Sequence, residues 1–139
     1  MSLRVGIDLV AVEDVEASLC AHSDRYLQRV YSTRELEECR AGSGAVVLER
    51  LAARFAAKEA TIKVLRPRAD EAVPWKTIEV VRDAVGGVEL KLSGSAADLA
   101  RDAGLASFAV SLTHERSYAA AVVLAEVERT PERVVAERG

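Results

Sequence analysis

The chain has 139 residues, 50% of them hydrophobic and 29% charged: enough for one buried core, too short for two ordinary domains and too apolar for a disordered chain. Lys and Arg number 19 against 22 Asp and Glu, and the formal net charge of −3 argues against a nucleic-acid partner held through its phosphates. Eight glycines and three prolines exclude a linker-rich or collagen-like chain.

Leu3 to Val10 (LRVGIDLV) is apolar and rich in β-branched residues, as a core strand is. From Ala11 to His22, Val12, Val15 and Leu19 recur at spacings of three and four, which makes one helical face with Glu13, Asp14 and Glu16 at its sides and rear. Ser32-Thr33-Arg34-Glu35 is a capping box, and Gly42 is the expected stop for the helix it opens. Val46 to Arg66 holds no Gly or Pro and is rich in Ala, Leu, Arg, Lys and Glu, so the longest helix is expected there. Pro67 and Pro74 bracket a charged loop. Thr77 to Arg82 and Val88 to Leu92 read as strands joined through Gly86-Gly87. Ser95 opens a short helix that Gly104 closes, and Ser107 to Thr113 and Tyr118 to Val127 read as two further strands with a turn at His114-Glu115-Arg116. The order predicts an α+β fold: a single domain over 1–127, its largely antiparallel sheet packed against the long helix, followed by a charged tail over 128–139.

The N-terminal residues lack the basic and then apolar segments of a secretory leader, and the longest uncharged run, Ala103 to His114, is too short to span a bilayer. A cytoplasmic protein without a membrane partner is expected. Cys20 and Cys39, with no CxxC or Cys/His cluster beside them, are expected as reduced, partly buried thiols.

Three positions stand out chemically. Leu48, Leu51, Phe55 and Ile62 share a stripe of the long helix, and Glu59 falls on it, one turn after Phe55. A carboxylate on a core-facing stripe needs a partner, either Lys63 one turn on or a metal ion. Asp8 sits inside an apolar strand, where aspartate is disfavoured, and Gly6 two residues earlier is expected to leave open space on the same face. The alternative for Asp8 is a cap on the following helix. Two carboxylates without a His or Cys cluster suit a hard cation such as Mg²⁺, which fills its other positions with water and phosphate. His114 ends an apolar strand, where it can bind phosphate, shuttle a proton or simply occupy a turn. Arg54, Lys58 and Lys63 put cations on or beside the Glu59 segment, either as a solvated face or as clamps on a polyphosphate. No GxxxxGK[ST], GxGxxG or GxSxG motif is present.

Gly6-Ile7-Asp8-Leu9-Val10, Arg54-Phe55-Ala56-Ala57-Lys58-Glu59-Ala60 with Lys63, and Ser111-Leu112-Thr113-His114-Glu115 together resemble the three signatures of the holo-acyl-carrier-protein synthase family, the small single-domain 4′-phosphopantetheinyl transferases. The resemblance implies that family's fold and a Mg²⁺-dependent reaction. Phosphopantetheine passes from coenzyme A to a serine of an apo acyl carrier protein, in fatty-acid or polyketide synthesis, and adenosine 3′,5′-bisphosphate leaves. It implies Asp8 and Glu59 as metal ligands, and Lys63 and His114, with Arg54 preferred over Lys58, as contacts to coenzyme A phosphates; Asp8, Glu59 and His114 form the implied catalytic set. The incoming hydroxyl needs a base, for which Glu59, Glu115 or a metal-held water can serve. A homotrimer is also implied. The alternative is a non-catalytic carrier-protein or coenzyme A binding module of the same fold. Two features depart from the family pattern: Val64-Leu65-Arg66-Pro67-Arg68 stands where relatives often have a glycine-containing turn, and the first helix carries acidic residues where relatives tend to carry arginines, leaving Arg25, Arg29 and Arg34 as the candidate basic patch. A carrier with altered surface charge is expected.

Overall fold

The structure, a computed structural model, describes residues 1–128, so the expected tail lies outside the described residues from position 129 onward. In chain order the elements are β1 (Ser2–Ala11), α1 (Val12–His22), α2 (Asp24–Val30), α3 (Thr33–Glu38), α4 (Leu48–Leu65), β2 (Ile78–Arg82), β3 (Val88–Leu92), α5 (Gly94–Asp102), β4 (Leu105–His114) and β5 (Tyr118–Val127). β1, β5 and β4 form one antiparallel sheet in that order, and β2 and β3 form a separate antiparallel hairpin. The expected α+β architecture stands, with the sheet divided in two. α2 was not anticipated; it follows a left-handed Ser23 and buries Leu27 and Val30.

Residues alternate along β1 with the pleat. Leu3, Val5, Ile7 and Leu9 point outward and are exposed, while Gly6 and Val10 are buried beneath α4. Gly6 does not leave open space. A Cβ there would collide with the carbonyl oxygen of Ala60, so the missing side chain is filled by the backbone of α4. The helix face that makes this contact is small. Ala52, Ala53, Ala56, Ala57 and Ala60 are buried with Leu51, Val64 and Leu65, and Ala119, Ala121 and Ala125 meet them from β5. Phe55, Glu59 and Ile62, expected on the core stripe, lie half-buried at its margin. Alanine carries little hydrophobic signal in a sequence, yet it is what lets helix and sheet approach closely.

α3 forms at its capping box: Glu35 N–H donates to Ser32 Oγ at 3.1 Å, and Ser32 N–H donates to Glu35 Oε1 at 2.9 Å. It ends at Glu38 rather than near Gly42, because the buried Cys39 turns the chain into a bridge between Arg40 and Val46. Cys20, by contrast, is exposed rather than partly buried, and both thiols are free. No helix among the described residues is long and apolar enough to cross a membrane.

Candidate active site at the crossing of strand β1 and helix α4

The close approach at Gly6 sets the site. One pleat further along β1, Asp8 faces α4, and its carboxyl group lies next to that of Glu59. Lys63 Nζ donates to Asp8 Oδ1 at 3.2 Å and to the carbonyl of Ile7 at 2.7 Å. The expected Glu59–Lys63 ion pair is therefore replaced by a Lys63–Asp8 pair, because Asp8 comes nearer through the tertiary contact than Glu59 does along the helix. Asp8 Oδ2 is buried without a donor. Burial raises the Glu59 carboxyl pKa, the hydrogen bond and charge of Asp8 raise it further, and Lys63 opposes them only in part; the result is a group pushed up to about 7.

Two hard oxygen donors facing one another with an unsatisfied oxygen between them fit a divalent cation such as Mg²⁺. Among the described residues no third His, Cys, Asp or Glu joins them. Two carboxylates with open remaining positions are the arrangement that leaves room for water and phosphate. Beside Glu59 lies a cavity of about 190 Å³, walled by Leu9, Val15, Tyr26 and Phe55 with Asp14 and Ser18 as its other polar residues.

The other sequence-derived positions are distributed differently. Arg54, expected against a phosphate, is buried on the far side of α4, where Nε donates to the Val80 carbonyl at 3.2 Å and an Nη to Glu38 at 3.1 Å. Lys58 is fully buried. Its ammonium pairs with Glu35 at 2.8 Å and donates to the carbonyls of Trp75 and Ile78. Burial pulls its pKa below the ordinary lysine value, against the pull of Glu35. Glu35 also accepts from Val80 N–H, so this pair fastens α3 and α4 to β2. In these contacts helical rotation turns both cations away from Glu59.

His114 sits exposed at the end of β4 in register with Ala119 and, through it, with Val10; Asp8 lies one pleat back on β1. With strands about 4.8 Å apart, two strand spacings separate His114 from β1, so a single chain does not bring it to the carboxylate pair. Glu115 lies in the β4–β5 turn, where its N–H donates to Tyr118. Sequence reasoning missed the Ile7 carbonyl that holds Lys63, since a backbone acceptor leaves no mark in residue identity.

A model of the 4′-phosphopantetheinyl transferase superfamily matches residues 4–123, which span β1, the Asp8–Glu59 crossing and β4. The chain belongs to this superfamily. Within it the relatives are holo-acyl-carrier-protein synthases. That of Chloroflexus aurantiacus is 42% identical over 134 residues, covering 86% of this chain and 95% of its own. That of Halorhodospira halophila is 39% identical over 124 residues, covering 89% and 97%. The solved ACPS–CoA complex of Chronobacterium ammoniagenes superposes with a TM-score of 0.79 at 33% identity, over 93% of this chain and all of that one. The chain is thus an enzyme of the holo-acyl-carrier-protein synthase family, as its three motifs imply.

Proposed function

We propose that this synthase-family chain transfers 4′-phosphopantetheine from coenzyme A to a serine hydroxyl of an apo acyl carrier protein, with Mg²⁺ required and adenosine 3′,5′-bisphosphate released. The observation that carries the reading is the half-buried Asp8–Glu59 pair, with a buried oxygen that has no donor and an ammonium 3.2 Å from Asp8. A module that only bound its partner would gain nothing from so costly an arrangement.

In the reaction the serine oxygen bonds to the phosphorus that carries pantetheine, the bridging P–O bond breaks toward adenosine 3′,5′-bisphosphate, and the serine proton passes to a base. Such a transfer needs alignment and charge neutralisation more than covalent chemistry. Asp8 and Glu59 would hold Mg²⁺, which when bound supplies positive charge to the diphosphate oxygens. Lys63, held by Asp8 and the Ile7 carbonyl, presents a fixed ammonium at the rim for the same oxygens. Arg25 and Arg29 on α2 are exposed, as are Glu13, Asp14 and Glu16 on α1, whereas Arg34 is engaged by Glu38 and the Arg82 carbonyl. We assign the carrier to this mixed-charge surface, which is why a polyketide carrier is a candidate beside a fatty-acid one. We place the reaction in the cytoplasm, whose reducing conditions suit the free thiols of Cys20 and Cys39.

A homo-oligomer, a trimer by family resemblance, is supported by the outer face of the sheet. Leu3, Val5, Ile7 and Leu9 are each more than half exposed, and Val122 and Leu124 continue the patch on β5. Sedimentation velocity is expected to give three times the chain mass; a monomer would remove this assignment.

The test of function is intact-mass spectrometry of several apo carriers after incubation with the protein, coenzyme A and Mg²⁺, with an EDTA control. The expected result is one added phosphopantetheine arm, lost with EDTA. Release of phosphopantetheine to water without a carrier would make the chain a diphosphate hydrolase instead. Comparable kcat/KM on fatty-acid and polyketide carriers would count against the altered docking surface.

A further inference from the structure

Helix α4 ends in an unusual way. Arg66, its C-cap, has φ 53° and ψ 57°, the left-handed conformation that glycine adopts freely and that a side chain resists. Pro67 follows it, and the residue before a proline favours extended backbone instead. Among the described residues Ser23 is the only other non-glycine with positive φ. Strain of this kind persists where the surroundings or a function hold it.

The guanidinium is not needed to finish the helix. The Arg66 N–H already bonds the Ile62 carbonyl, and Arg4 donates to the Val64 carbonyl at 3.0 Å. The Arg66 side chain is exposed and makes no ion pair with the described residues. Arg68, the other arginine of the turn, is taken by Glu71 at 3.0 Å.

Position completes the case. Arg66 follows Glu59 by seven residues and Lys63 by three, so the Cα of this cap residue stands on the same side of α4 as theirs. Seven residues advance the axis by about 10 Å, beyond the reach of the carboxylate pair itself. In that order stand the carboxylate proposed to hold the metal, an anchored ammonium and an exposed guanidinium, whose planar fork suits phosphate oxygens.

We infer that Arg66 binds a phosphate group of the donor that lies away from the Asp8–Glu59 pair, and that its left-handed backbone is kept in place of glycine for that contact. This rests on coenzyme A being the donor. Coenzyme A offers two such groups, the far phosphate of its diphosphate and the ribose 3′-phosphate, which share the same recognition chemistry.

Titration calorimetry in Mg²⁺ with coenzyme A and with 3′-dephospho-coenzyme A tests the inference on the wild type, R66Q, R66G and R68Q. R66Q and R66G are expected to weaken coenzyme A binding about tenfold, the scale of one charge-assisted contact. R68Q is expected to stay within about twofold of the wild type, since its charge is already paired. A 3′-phosphate contact shows as a wild-type preference for coenzyme A over the dephospho form that R66Q erases. A diphosphate contact shows as equal weakening of both ligands. R66G is also expected to melt higher than R66Q, because glycine relieves the backbone. Unchanged binding of both ligands by R66Q and R66G, with normal binding by the wild type, overturns the inference alone. A wild type that binds no coenzyme A overturns the functional reading beneath it as well.

Discussion

Lys58 and Glu59 are consecutive on α4 and both leave bulk solvent, one completely and one in part. Lys58 reaches a carboxylate and two carbonyls, and Glu35 opposite it accepts from Ser32 and Val80 as well, so every polar atom of that pair has a partner. Glu59 faces Asp8, another acceptor, and one oxygen of the pair is left without a donor. The contrast separates two uses of buried charge. A satisfied network fixes how α3, α4 and β2 sit, whereas an under-satisfied one is the kind a cation would complete, as proposed for Asp8 and Glu59. One step of helix rotation decides which use a residue serves.

The strongest way to break the comparison is to remove the under-satisfied pair. Asp8→Ala and Glu59→Ala are each expected to lower the transfer rate at least ~10³-fold, about 4 kcal/mol of barrier, while leaving the circular-dichroism melt intact or raised. A variant that keeps its rate removes the metal assignment.

Next comes the satisfied pair. Lys58→Met leaves Glu35 buried and unpaired and is expected to cost about 3–5 kcal/mol in urea denaturation, while the double variant with Glu35→Leu recovers most of it. If Lys58→Met is neutral in stability and poor in activity, the two roles have been exchanged.

Gly6→Ala probes the contact between the pairs. The added methyl meets the Ala60 carbonyl, so α4 must lift from β1. About 1–3 kcal/mol of stability should go with it, along with activity, because Asp8 and Glu59 separate; activity unchanged at lower stability would show that the crossing does not set the site.

The smallest effect is pH dependence. With EDTA present, Glu59 holds its proton up to about 7 in the folded chain against 4.5 for an ordinary glutamate. Its contribution to stability is complete below the lower value and is lost as pH rises through the higher one. The melting temperature is therefore expected to fall between those values and Glu59→Gln to flatten that fall, while Mg²⁺ should raise it more at pH 8 than at pH 6. A Mg²⁺ effect independent of pH would mean that no proton is displaced.

Much of the fold was legible because periodicity and capping are local. The strand over Leu3 to Val10, the capping box at Ser32 and the gap in Gly and Pro after Val46 each lie where the structure places an element. Asp8 and Glu59 were legible too, as carboxylates in apolar patterns that called for a partner. What the residue pattern did not carry was direction. Arg54 and Lys58 stand beside Glu59 in sequence, but at about 100° per residue they turn to the hairpin side of α4. Gly6 read as space, and the space proved to be filled by a helix backbone that no spacing rule foretells.

The sequence by itself determined the family, the order of the named elements other than α2 and the identity of the two carboxylates, since these depend on residue type and short-range spacing. Only the tertiary structure decided that Lys63 serves Asp8 rather than Glu59, that Lys58 serves Glu35, and that His114 stands apart from the pair within one chain. Those choices follow from how closely an alanine-faced helix can settle onto a glycine in a strand, a contact between residues more than fifty positions apart.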